Sequence, residues 1–412
     1  MEGSMRRGKN GRKRKKRWCR FTAMSILLLI ISGCRHTQEE SELPKISMDI
    51  LQVTETLEDD SEEIVSILQP IYKKAVEEDK TDDLETIRSI VACLGENGYP
   101  SVDSKNQVNM TWAGQVEHFC EIAKAKKKSE ITIIEVGYQG SFTVYDLQSE
   151  NGKVDVAKTY YKYEEGSIQR KVTENYHADN WEYTKEGYLI FSGVWFSEEM
   201  YVLTLGGTEE HTALRVKPLD ETCRELNRQY LLPIGYEQNN MFLVDWSEKD
   251  YQKLNFYDVY DIFYPKVTGK DIPYLADENL SIESVYQIPK DEFEQVIMQY
   301  FQIDSQTLQS KTIYHTENST YEYMPRSFEE TEYPEYPYPE VVKYKQNSDG
   351  TIKLTVHVVY PYEDTSKVYT HEVVVRPLEN NRVQYVSNKI CPSKYNYRTL
   401  WHTPRKQTSK IR

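Results

Sequence analysis

The sequence predicts an α+β protein: N-terminal helices, an antiparallel meander, then a smaller domain of one helix on a four-stranded antiparallel sheet. Three observations carry that class. Apolar residues recur at helical spacing between positions 60 and 125. From Ile131 to Val216 the chain is rich in Tyr, Val, Thr, Ile and Phe and is cut at short intervals by glycine-containing turns. The helix-then-strand succession returns from Ile288 onward. A length of 412 residues suggests two or three domains, and 39% hydrophobic with 12% aromatic residues excludes a mainly disordered chain.

The N-terminus is a leader. Residues 1–33 hold ten basic residues and one acid, whereas the remaining 379 hold 41 basic and 64 acidic, so the net charge of −14 combines +9 with −23. An acidic body argues against nucleic acid as a partner. The basic run of residues 6–20 precedes an apolar stretch, Phe21 to Ile31, too short to span a bilayer as a helix. Ile31-Ser32-Gly33-Cys34 follows and resembles the lipobox of bacterial lipoproteins. That resemblance implies lipidation of Cys34, removal of residues 1–33, and a body anchored to the outer face of the cytoplasmic membrane. Residues 34–58 are polar and acidic and read as a flexible tether.

The body then divides into a domain over 59–249, a connector over 250–287, a second domain over 288–390 and a basic tail over 391–412. Asp60-Ser-Glu-Glu63 has capping-box spacing ahead of Ile64, Ile67, Leu68, Ile71 and Ala75, and Pro70 should bend that helix. Thr81 is placed to cap a second helix with Leu84, Ile87, Val91 and Leu94 inward, and Gly95 to end it. A third, at about 112–125, presents Val116, Phe119, Cys120 and Ala123. Turns at Gln139-Gly140, Asn151-Gly152, Glu165-Gly166, Glu186-Gly187 and Gly206-Gly207 then separate about seven strands. Residues 220–231 read as helical.

Residues 250–287 show no clear period. In the second domain Phe293, Val296, Ile297, Tyr300 and Phe301 mark a helical face, with Pro289 in its first turn. Glu332-Tyr-Pro-Glu-Tyr-Pro-Tyr-Pro339 cannot be a central strand, because each proline lacks a donor. In the strand after Gly350, Ile352, Leu354, Val356 and Val358 face one way and Lys353, Thr355 and His357 the other. Strands at Lys367–Arg376 and Val383–Ser387 complete the sheet.

Six cysteines occur. The lipobox resemblance implies that Cys19 leaves with the leader and that Cys34 is the lipid site. Cys93 and Cys120 are either buried small hydrophobes or a disulfide pair, which export would permit. With no Cys-x-x-Cys, neither a zinc site nor a redox motif has its minimum spacing, and no cofactor or metal is expected. Gly-x-Ser-x-Gly, His-Glu-x-x-His and the P-loop are absent. Asp146–Asp155 places its glycine one position late for a calcium loop and reads as a hairpin, and His177-Ala-Asp-Asn-Trp181 as a turn between strands.

The 33 tyrosines are the most unusual feature of the composition. Tyr offers area with few rotors and a polar tip, so the clusters Tyr160, Tyr161, Tyr163 and Tyr333, Tyr336, Tyr338 are candidates for an interaction surface as well as for half-buried sheet positions. The expected role is a non-enzymatic binding module that meets an envelope protein or glycan, held near its partner by the lipid tether. A solute-binding lipoprotein and a surface glycan or peptide hydrolase are the alternatives.

The C-terminal segments Ile288-Pro-Lys-Asp-Glu-Phe-Glu294, Tyr300-Phe301, Pro339-Glu-Val-Val342, Thr351-Ile-Lys-Leu-Thr-Val356, His371-Glu-Val-Val-Val-Arg-Pro-Leu378 and Tyr385-Val-Ser-Asn388 resemble a family of uncharacterised lipoproteins from clostridial gut bacteria. The resemblance covers about 100 residues well and implies an address and a fold; it carries no activity.

Overall fold

The computed structural model describes residues 57–197, 202–203, 205–275, 284–326, 335–393 and 401–405. Helix α1 (Leu57–Glu77) opens two residues inside the expected tether and runs through Pro70. It buries the expected Ile64, Leu68 and Ala75, and Tyr72 beside them, while the expected Ile67 and Ile71 are half-buried. Helix α2 (Leu84–Glu96) is entered at Asp83, not Thr81, and ends one residue beyond Gly95. Helix α3 (Ala113–Lys124) buries the expected Val116, Phe119, Cys120 and Ala123.

Seven strands form one sheet in chain order: β1 (Ser101–Asp103), β2 (Ser129–Val136), β3 (Ser141–Glu150), β4 (Lys153–Glu164), β5 (Ser167–Tyr183), β6 (Tyr188–Trp195) and β7 (Thr208–Arg215). Six of them make the antiparallel meander; the seventh, β1, precedes α3 and pairs parallel to β2 at the edge. Two of the hairpins turn through Asn151-Gly152 and Glu165-Gly166, where both residues take positive φ, the turn whose twist matches paired strands. Side chains alternate across a pleat. Accordingly Ile133 joins a core with α3, while its neighbour Ile134 joins a core with α1 and α2, so helices cover both faces of the sheet. His177 to Trp181, expected as a turn, lies within β5, a 17-residue strand whose register shifts between Ala178 and Asn180.

The cores divide after Val216, well before the expected boundary at 249. Helix α4 (Glu221–Leu226) is capped by Asp220 and continues into a π-helical turn, Asn227–Leu231. Both belong to the C-terminal core, as does β8 (Trp246–Ser247), which extends the C-terminal sheet. The expected connector is in large part core. Helix α5 (Phe256–Thr268) buries Phe256, Tyr257, Val259, Tyr260, Phe263 and Tyr264. Nine of its thirteen residues are apolar or aromatic, so it has no narrow stripe to detect, because a helix buried on most sides needs none.

Strand β9 (Tyr286–Pro289) leads directly into α6 (Lys290–Tyr300), followed by α7 (Ser305–Ser310), β10 (Tyr314–His315) and β11 (Thr320–Tyr323). Strands β9, β10 and β11 make a small sheet in the order β10-β11-β9. The larger sheet runs β12 (Tyr338–Gln346), β13 (Ile352–Val359), β14 (Thr370–Pro377), β15 (Val383–Ile390) and then β8. Pro339 is tolerated because β12 is the edge. The tail also contributes: Trp401 is buried against Tyr360 and Tyr369, and Arg405 reaches Asp258 and Asp261 on α5.

Glu58–Arg412 forms one compact unit. At the seam between its two cores, Glu340 on β12 accepts from Tyr188 Oη at 2.7 Å and from Arg215 Nη1 at 2.8 Å, with Arg215 and Glu340 both about 4% exposed. Asn106 donates to Tyr338 Oη at 2.8 Å beside them. No described helix is long and apolar enough to cross a membrane. Ile31, Ser32, Gly33, Cys34, nearly all of the tether and Tyr333 lie outside the described residues.

Candidate functional site

The π-helical turn, α5, α6 and the β14–β15 turn line an open pocket of about 200 Å³. Each wall has a local cause. Leu232 N–H bonds back five residues to Asn227 O at 3.0 Å, which widens the helix and carries Gln229, Pro233 and Ile234 to the cavity. Such widened turns recur at functional sites. The β14–β15 turn places Asn380 and Asn381 at positive φ (59° and 56°), conformations asparagine tolerates, and Arg382 O accepts from Leu378 N at 2.8 Å. That closure holds Asn381 and Arg382 at the rim. Lys266 comes from the last turn of α5.

Aromatic rings make the floor. Phe263 and Tyr300 stack with centroids 3.8 Å apart and planes 20° apart, and Tyr385, fully buried, donates to Tyr230 O at 2.8 Å. Burial raises the pKa of both phenols, so they stay protonated at neutral pH. The polar lining is Gln229, Gln299 and Asn381 with the two cations, and it includes no carboxylate. Among the described residues neither Lys266 nor Arg382 is in a salt bridge; Arg382 Nε donates only to Glu379 O, at 3.4 Å. On a body of net charge −23 this is a local inversion of sign. The lining offers cations, amides and apolar surface. Such groups can hold a ligand by charge, hydrogen bond and apolar contact.

A second cluster sits at the seam. Ser192 on β6 and His211 on β7 are register partners, and Asp364 reaches over them from the turn after Pro361–Glu363. Ser192 Oγ donates to Asp364 Oδ2 at 2.5 Å, and His211 Nδ1 lies 3.0 Å from Asp364 Oδ1. An activated serine needs its proton aimed at the imidazole. Here the hydroxyl is engaged by the carboxylate, and Ser192 is only 4% exposed. The arrangement ties a C-terminal turn to the N-terminal sheet.

A profile for a family of unknown function (DUF6070) matches residues 54–405. The chain belongs to that family. No curated protein and no solved structure shows significant similarity to it. The family match spans both cores and the docked tail, from just before α1 to Arg405.

In this member of the family the tyrosine clusters are divided between roles. Tyr161 is buried and stacks on Phe142 at 4.8 Å, and Tyr163, half-buried, stacks on Tyr72 at 6.3 Å. Both face α1 because they share one side of β4, leaving the half-buried Tyr160 on the other. Tyr338 turns its hydroxyl into the seam, where burial raises its pKa, and Tyr336 packs on the C-terminal core. Tyr161 and Tyr338 therefore take the structural one of the two roles open to them. Cys93 and Cys120 are free thiols, on helices that cover opposite faces of the sheet; burial pushes the Cys120 pKa up to about 12. Lys266, Arg382 and the three amides were not singled out by sequence. The Asn380-Asn381 turn pair is the one local signal near them.

Proposed function

We propose that this protein is a lipid-anchored envelope lipoprotein whose folded body is a non-enzymatic binding module, with the cavity between the π-helical turn, α5, α6 and the β14–β15 turn as its binding site. One observation carries the reading: a pocket with two unpaired cations, three amides and no carboxylate on a strongly acidic body. The address rests on the basic n-region, the short apolar run and Ile31-Ser32-Gly33-Cys34. The hydrolase alternative is weaker, since the serine nearest a histidine–aspartate pair spends its proton on the aspartate. The solute-receptor alternative is weaker too, because such receptors use parallel α/β lobes and these sheets are antiparallel apart from β1.

Two measurements test it. Palmitate labelling in cells should mark the wild type and not Cys34→Ala; equal labelling of both contradicts the anchor. A thermal-shift panel of sugars and amino acids should yield a stabilising ligand, because binding at 100-fold the dissociation constant adds about 2.7 kcal/mol. Hits whose effect survives removal of both rim cations place the site elsewhere.

A further inference from the structure

Resting on that reading of the cavity, we infer that its ligand is a carboxylate-bearing sugar, one acidic monosaccharide unit, free or at the end of a chain. Size is the first argument. At about 200 Å³ the pocket is smaller than most small-molecule sites, which suits a single small unit over a longer chain segment. Charge is the second. Lys266 and Arg382 come from elements more than 100 residues apart in sequence and line one pocket, and the lining offers neither a counter-ion. Two cations at one rim, with no carboxylate in the lining, favour an anion arriving from outside. Arg382 can pair with a carboxylate through two parallel hydrogen bonds, while Lys266 acts as a point charge.

The third argument is the remaining lining. Gln229, Gln299 and Asn381 each present both a donor and an acceptor, which is what vicinal hydroxyls require. The ring of Tyr300 and the side chain of Ile234 supply apolar surface for the C–H face of a ring. A free amino acid would carry an ammonium group into a site that already holds two cations. The observations therefore favour a sugar acid over a zwitterion.

The test is isothermal titration of the detergent-solubilised full chain at about 50 mM salt, with glucuronate as the probe and glucose as its neutral counterpart. Glucuronate should bind at least tenfold more tightly than glucose, and Arg382→Gln should weaken it about tenfold or more. Lys266→Gln should weaken it less, and raising the salt should weaken the wild type. Both cations are exposed at the rim, so the variants keep the fold, which circular dichroism checks. Equal binding of glucose and glucuronate, or no effect of Arg382→Gln, overturns the inference. So does tighter binding of glucose 6-phosphate, which would make the ligand a phosphate. If neither sugar binds but another ligand from the panel does, and the rim variants weaken it, the sugar acid is wrong and the binding module stands. If no ligand responds to the rim variants, both fail.

Discussion

Lowering the pH should unfold this protein in part through His371. The residue lies on β14 with no solvent exposure. Its Nδ1–H donates to Asn388 Oδ1 at 2.7 Å, and its Nε2 accepts from Tyr236 Oη at 2.8 Å. The neutral ring is thus fully satisfied, and a second proton would have to displace the Tyr236 hydroxyl. Burial holds the pKa down to about 4, against 6.5 for an exposed imidazole. A depressed pKa on a base means the unfolded chain takes up its proton first as the pH falls. The stability is therefore fully present above pH 6.5 and is lost as the pH drops from 6.5 through 4, in all about 3 kcal/mol. Buried acids work the other way. Asp261, raised to about 6 by burial, keeps its proton in the native state after the unfolded chain has released it, so it removes stability as the pH rises from about 4 to 6. Comparing the wild type with His371→Gln cancels such terms, because glutamine can donate and accept without titrating. Urea unfolding across pH 7.5 to 4 should show the wild type losing about 3 kcal/mol more than the variant. Parallel profiles would refute the reasoning.

Further substitutions probe the seam, the docked tail, the sheet and α3. Arg215→Met leaves Glu340 buried with Tyr188 as its remaining donor and should cost about 3–5 kcal/mol in urea unfolding; adding Glu340→Gln should recover part of that loss, and a single-variant cost under about 1 kcal/mol would contradict a buried pair. Arg405→Met removes a partner from both Asp258 and Asp261, so a loss of about 3 kcal/mol and a red shift in tryptophan fluorescence from Trp401 are expected; unchanged fluorescence and stability would mean the tail is not docked. Gly193→Ala would place a Cβ 2.4 Å from His177 O on the paired strand and should cost at least about 1–3 kcal/mol by thermal or urea unfolding, whereas Gly114→Ala on α3 meets nothing within 4 Å and should gain up to about 1 kcal/mol; equal effects at the two sites would contradict the packing.

Much of the fold was legible because its signals are local. Ile64, Leu68 and Ala75 repeat at helical spacing, and Leu354, Val356 and Val358 alternate, so one short stretch of sequence decides each. Asn151-Gly152 marks its hairpin for the same reason: both residues accept positive φ. Helix α5 escaped because burial on nearly every side erases the stripe that periodicity detects. The boundary between the cores escaped because β8 is two residues long and is held by β15, some 140 residues away. The docking of the basic tail escaped, since its apolar and basic residues find Tyr360, Tyr369 and Asp258 only through tertiary structure. The cavity is the extreme case. Its five polar residues come from four separate elements, and no spacing rule joins Gln229 to Arg382.

The most direct test of the binding site is the side-chain amide spectrum of ¹⁵N-labelled full chain during titration with glucuronate. The account predicts that the amide signals of Gln229, Gln299 and Asn381 move together and saturate at one ligand concentration, while those of the buried Asn227 and Asn388 stay in place. Shifts confined to other residues, or none at millimolar ligand, would contradict it.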